Sequence, residues 1–122
     1  MIDWVITLSN LQLVNTTKLD RFLGCVNSGM FFGYEPEVVL FEGYDVNHEW
    51  SVDNGVPRRT WSCSWHFKAR PIRVPHPNNP NQTITVGWNH EYRGEDGWKE
   101  VRFADNRLRY QLADFKYIFL PN

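Results

Sequence analysis

Long apolar runs are missing from this chain of 122 residues: the longest, residues 38–41 and 117–120, fall far short of the roughly 20 needed for a helix to cross a bilayer. A membrane protein is therefore not expected. An excess of one charge is missing too, since 13 Lys and Arg face 14 Asp and Glu. No global field then steers the chain to nucleic acid or to an anionic lipid surface. Cysteine is scarce, and Cys25 and Cys63 lie far apart in unlike segments. That suits neither a disulfide framework nor a metal knuckle, so two reduced, mostly buried thiols are expected. The opening Met-Ile-Asp-Trp-Val-Ile-Thr-Leu lacks the basic and apolar regions of a secretory signal. Cytosolic synthesis and use follows as the expectation, and the Asn-x-Thr triplets at Asn15 and Asn81 then carry no glycosylation reading.

Catalytic signatures are also lacking. There is no Gly-x-Ser-x-Gly elbow, no Walker lysine loop and no Gly-x-Gly-x-x-Gly turn. His48, His66, His76 and His90 fall in no CxxC, HxxxH or HExxH spacing that would supply a tetrahedral zinc site. His66 and His90 could share a face if their strands pair, and a polar cross-strand pair is expected there before a ligand pair. Asp45, Glu49, Asp53, Glu91, Glu95 and Asp96 read as solvated loop acids, because nothing in their spacing buries two together. The chain is expected to be no enzyme, with no metal, no cofactor and no small-molecule substrate.

Aromatics, by contrast, are plentiful: six Trp, five Tyr and eight Phe, which suit strands, cores and contact surfaces. Ile2, Trp4, Ile6 and Leu8 alternate with Asp3, Val5, Thr7 and Ser9, the period of a half-buried strand. Thr17 and Asp20 then open a helix whose stripe is Leu19, Phe22, Leu23 and Val26, ending near Asn27 with Gly29 as its cap. Residues 38–41 read as a buried strand, and residues 45–59 as a loop or solvent-facing ribbon that Trp50 could pin. Trp61, Cys63, Trp65 and Phe67 alternate with polar residues in the cleanest strand of the chain, its aromatic face directed to the core. Thr83 to Val86 resumes a strand pattern, Gly94-Glu95-Asp96-Gly97 is turn chemistry before Trp98 to Phe103, and these two flanking segments are expected to pair as a hairpin. A second polar turn, Ala104-Asp105-Asn106-Arg107, precedes alternating Leu108, Tyr110 and Leu112, and residues 113–120 suit either a short helix or an edge strand. The expected fold is one α+β domain over residues 1–122. It is a mostly antiparallel sheet or sandwich covered by one short amphipathic helix, with an extended Pro-rich hairpin arm.

That arm, residues 71–82, holds four prolines that cannot feed a ladder, so it should stay extended and exposed. Pro71, Ile72, Arg73, Val74, Pro75, His76, Pro77, Asn78, Asn79 and Pro80 are therefore the candidate subunit interface. Arg58, Arg59, Lys68, Arg70 and Arg73 lie among aromatics as in a single-stranded nucleic-acid platform. If Trp61, Trp65 and Phe67 face a core, however, these cations stay on the rim without aromatic partners, and nucleic acid is not the expected partner. Trp88, Tyr92 and Trp98 around the Gly94 turn could form a sugar-stacking platform, provided their rings are exposed and coplanar.

The order of Val26-Asn27-Ser28, Phe31-Phe32-Gly33-Tyr34, Val38-Val39-Leu40-Phe41-Glu42-Gly43, Trp61-Ser62-Cys63-Ser64-Trp65-His66-Phe67 and Gly87-Trp88-Asn89-His90 resembles a family of tailed-bacteriophage and prophage virion proteins. It covers most of the chain after Thr16; the proline-rich segment and the short length depart from it. The resemblance implies a non-enzymatic subunit of a neck, tail or baseplate, made in the host cytoplasm and residing in the virion. Its partners would be copies of itself around a symmetric ring, together with other virion proteins. The alternative is a monomeric ligand-binding module, for carbohydrate before single-stranded nucleic acid.

Overall fold

Alternating apolar and polar residues lay down most of the chain as strands, and a computed structural model describes residues 1–119. In order these are β1 (Ile2–Leu11), helix α1 (Thr16–Asp20), β2 (Val26–Asn27), β3 (Val39–Asp53), β4 (Val56–Ala69), β5 (Ile72–His76), β6 (Asn79–Val86), β7 (His90–Tyr92), β8 (Trp98–Glu100) and β9 (Leu112–Ala113). Short 3-10 helices span Gly94–Asp96 and Phe115–Ile118. Five strands form one sheet in the order β1-β4-β3-β2-β9, antiparallel except where β2 meets β9, while β5–β6 and β7–β8 form separate hairpins. No helix among the described residues is long and apolar enough to cross a membrane.

The sheet is built on the β3–β4 hairpin, paired from Val39↔Ala69 to Asp53↔Val56. Asn54 (φ 52°) and Gly55 (φ 79°) close it. Both are left-handed, as the primed two-residue turns that match strand twist require, and Asn-Gly is the sequence that adopts them most cheaply. The stretch from residue 45 to 59 is thus the outer half of this hairpin, a ribbon rather than a loop. Trp50 pins nothing, since it is 68% exposed.

Trp65 and Phe67 sit in the core as their alternation requires, with Cys63 and Ala69 on the same face of β4. Trp61, at the end of that face, is only half-buried. Burial and the Asp45 carboxylate push the Cys63 thiol up to about 11, and burial raises that of Cys25. Both cysteines are free and buried. Phe67 is the centre of a ring cluster, 5.5 Å from Trp4, 5.1 Å from Phe31 and 5.4 Å from Phe41. Three elements cover this face: α1 through Leu19, the 28–37 loop through Phe31 and Tyr34, and the C-terminal 3-10 helix through Phe115 and Ile118.

The helix is shorter than its apolar stripe suggests. Asn15, not Thr17, caps it, its Oδ1 accepting from the Lys18 N–H at 3.0 Å, and it ends at Asp20. Gly24 (φ 74°) turns the chain, and Val26 pairs with Leu40 in the sheet. A five-residue helix has few internal hydrogen bonds, so sheet pairing outcompetes its continuation. Asn27, almost wholly buried, fixes the outcome: its Nδ2 donates to the Gly29 and Glu35 carbonyls and its Oδ1 accepts from Val39 N–H. The expected strand at 108–112 is likewise reduced to Leu112–Ala113, beside β2. Residues 115–118 take the helical option in 3-10 form, capped by the Asp114 carboxylate, while residue 120 lies outside the described residues.

The two small hairpins join the main sheet at Gly87-Trp88-Asn89-His90. The Gly87 backbone lies so close to the Glu37–Val38 peptide that a Cβ would fall 2.8 Å from Val38 Cα and closer still to the Glu37 carbonyl. Trp88 N–H donates to Glu37 O (2.9 Å) and its indole Nε1 to Lys68 O (3.1 Å). Asn89, fully buried, donates to Glu37 Oε1 and Tyr110 O and accepts from Tyr110 N–H.

Two outcomes follow for stability in urea. Trp65→Ala should lose about 3–5 kcal/mol, the usual cost of emptying a buried large aromatic site, whereas Trp50→Ala should stay within about 0.5 kcal/mol of the parent. Gly87→Ala should lose about 3 kcal/mol although it adds one methyl, because the obstructing atoms are backbone and cannot rotate away.

Candidate interaction surface

Residues 71–82 do enter a ladder. β5 pairs with β6 from Ile72↔Val86 to Pro75↔Thr83, then slips to His76↔Asn79 around the Pro77-Asn78 turn. The prolines are accommodated because the hairpin is a two-stranded sheet, in which every strand has an open side. Val74 and Val86 are buried and Ile72 and His76 half-buried, while Pro71, Arg73, Pro75, Pro77, Asn78, Asn79 and Pro80 are exposed. Arg73 does not offer its guanidinium outward: its Nη1 and Nη2 donate to Thr85 Oγ1 (3.2 Å) and Thr83 Oγ1 (2.7 Å) of its own hairpin. His76 Nδ1 accepts from Asn78 N–H, tightening the turn.

The hairpin faces β7–β8 across a groove of about 430 Å³, lined by Val74, Pro75, Pro77, Ile84 and Val86 on one side and Tyr92, Trp98 and Lys99 on the other. The Gly94 turn closes β7–β8 as its sequence requires, although the strand it returns to is His90–Tyr92 and not residues 83–86, which belong to β6. Of the three aromatics grouped around that turn, Trp88 is buried with its indole N–H occupied, and Tyr92 and Trp98 form a pair with centroids 5.6 Å apart. Their planes meet at 53°, so they are not a coplanar platform.

The basic residues are largely committed within the chain. Arg59 stacks over Trp61 at 4.9 Å and Arg70 over Trp88 at 5.0 Å, so these rim cations do have aromatic partners, contrary to the expectation from alternation. Trp61 is half-buried, beyond the part of the face that the core cluster covers, and a guanidinium stacks readily on a ring placed so. Arg70 also donates to the Gly87 and His90 carbonyls, and desolvation, then the neighbouring Arg109, pull its pKa down. Lys68 lies 3.5 Å from Asp3 and 3.6 Å from Glu42 on the outer face of the sheet.

His66 and His90 do not meet: β4 pairs with β1 and β3, and β7 pairs with β8. The partner of His66 is Asp45, with Nε2 2.7 Å from Oδ2 on the exposed face. Ser64, directly across from Asp45, has its hydroxyl 2.8 Å from Thr7 Oγ1. Among the described residues no group of three or more His, Cys, Asp or Glu side chains could hold a metal ion. No family model, curated protein or solved structure matches the chain.

What sequence reasoning missed is the apolar surface of the main sheet itself. His48, Trp50 and Val52 on β3 lie opposite Trp61, Arg59 and Pro57 on β4, in the same phase as the core residues Cys63, Trp65 and Phe67. The covering layer stops before them, leaving Trp50 and Val52 exposed. Their alternation was readable, but where the cover ends was not.

Burial of Val74 gives the 71–82 hairpin a share in stability. Replacing residues 74–81 by a short Gly-containing turn should lower stability by about 2 kcal/mol, the worth of one buried apolar side chain. Asn78→Gly, at the exposed turn, should leave the melting temperature within about 3 °C of the parent, since surface changes of this kind stay within about 0.5 kcal/mol.

Proposed function

We propose that this chain is a non-enzymatic structural or assembly subunit of a tailed-phage virion, in a neck, tail or baseplate, that oligomerises through its sheet edges and the Pro-rich 71–82 hairpin. One observation carries the assembly part of this reading: the core-phase face of the main sheet runs beyond its covering layer. Ile2 and Leu8 on β1 and Trp50 and Val52 on the ribbon stay exposed on the side that elsewhere is core. Apolar side chains continuous with a core and left without cover are what an assembling subunit offers to its neighbours. The virion part rests on the resemblance in element order alone. Mass spectrometry of phage particles banded on a density gradient, after induction of the host that carries the gene, tests it. Peptides of the chain at fixed stoichiometry in the particle band are expected, and their absence from intact particles would overturn the virion assignment.

A second reading, a monomeric carbohydrate-binding module, draws on the exposed Tyr92 beside Trp98 at the mouth of the hairpin groove. It requires a saturable change of tryptophan fluorescence on titration with oligosaccharides, lost in Tyr92→Ala.

A further inference from the structure

Among the described residues β1 is an outermost strand of the main sheet and pairs on one side only, with β4. Its regular stretch covers residues 2–8, after which the register shifts and Asn10 takes φ 59°. Edges of this length are ordinarily protected by a lysine, a proline, an inward-pointing charge or a bulge along the strand. Within residues 2–8 the one charged side chain is Asp3, which points outward to Lys68, and there is no proline. The apolar side chains stay open: Ile2 is 48% and Leu8 45% exposed on the core face, and Val5 52% on the other.

We propose that this edge pairs with β1 of a second copy of the chain, antiparallel about a two-fold axis at Val5, so that the two main sheets become one. The inference rests on the assembly reading above for the premise that a sheet edge is a contact surface. The register follows from the strand itself, because Val5 is the midpoint of the bulge-free stretch 2–8 and pairing about it uses the whole of that stretch. It sets Trp4 opposite Ile6 and Ile2 opposite Leu8 of the second copy, apolar against apolar on the core face. On the other face Val5 meets its own equivalent and Asp3 meets a threonine hydroxyl, so no like charges are opposed, the arrangement that cross-strand energetics favours. A copy added head to tail would instead have to use the opposite edge, β9, which is only Leu112–Ala113. Two residues give almost no ladder, so a closed two-fold pair is favoured over a ring propagated through the sheet.

Light scattering on the full chain during size-exclusion chromatography tests the pairing. The wild type should be a dimer at micromolar concentration. Val5→Lys and Val5→Glu, each placing like charges face to face at the axis, should weaken dimerisation about tenfold or more. An equimolar mixture of the two variants should restore the dimer, because opposite charges then meet there. A monomeric wild type, an undiminished Val5→Lys dimer, or a mixture no tighter than either variant alone would overturn the proposal. Hydrogen exchange on the unaltered chain tests it without any variant: the alternate amides of residues 2–8 that face away from β4 should be protected where scattering gives a dimer, and exchange of those amides as fast as open edge amides would equally overturn it. A chain found in particles whose Val5→Lys form still dimerises would sink the edge pairing and leave the virion reading standing.

Discussion

The contact between Gly87 and the Glu37–Val38 peptide is the constraint on which the arrangement of the protein depends. Two backbones can approach this closely only where one of them carries no Cβ. Once they do, Trp88 and Asn89 are delivered to the start of β3, where the indole and amide groups take up carbonyls of Glu37, Lys68 and Tyr110. The chain entering this junction is β6 and the chain leaving it is β7, so one close approach fixes where both small hairpins stand and how the groove between them is lined.

Two buried asparagines do a related job. Asn27 and Asn89 each satisfy donor and acceptor groups with backbone partners, replacing ladder bonds where the strands themselves do not run. Buried amides satisfied this fully cost little, and losing one partner group would strand several backbone groups at once. They explain why segments with modest strand or helix propensity, residues 25–29 and 87–90, hold a defined course with so little regular structure. Both lie in motifs the sequence made conspicuous, Val26-Asn27-Ser28 and Gly87-Trp88-Asn89-His90, although nothing in their composition says that the amide is the buried part.

Legibility followed the range of the interactions. β1 and β4 could be read because alternation is a local property that one buried face enforces along the strand, and the Asn54-Gly55 and Gly94 turns because turn chemistry is local too. The helix was overread. Leu19, Phe22, Leu23 and Val26 have helical spacing, but Val26 is taken by β2, held there by the hydrogen bond that Val39 N–H donates to Asn27 Oδ1, which no window of that length contains. Residues 71–82 were misread for a different reason. Their prolines exclude a central strand but not a two-stranded hairpin, in which one side of every strand is free. The aromatic partners of Arg59 and Arg70 were hidden because stacking on Trp61 and Trp88 depends on where the covering layer ends and where a distant segment returns.

Core and contact surface in this chain are phases of the same pattern. On β4 the odd-numbered residues run from Pro57 through Arg59, Trp61, Cys63, Trp65 and Phe67 to Ala69, and burial rises along that series from exposed to complete. Nothing in the strand changes its periodicity at Trp61; what changes is that α1, the 28–37 loop and the C-terminal 3-10 helix cover one end of the sheet and not the other. The sequence was therefore written with more core face than its own covering layer can use. In a chain of this size an uncovered apolar strip carries little folding advantage, since side chains such as Trp50 and Val52 stay largely wet in the folded state. On the reading proposed above a neighbour supplies the missing cover at the outer end of the β3–β4 hairpin, and backbone pairing at the β1 edge, which flanks β4 only from Trp61 to Ala69, is a separate contact of the same sheet.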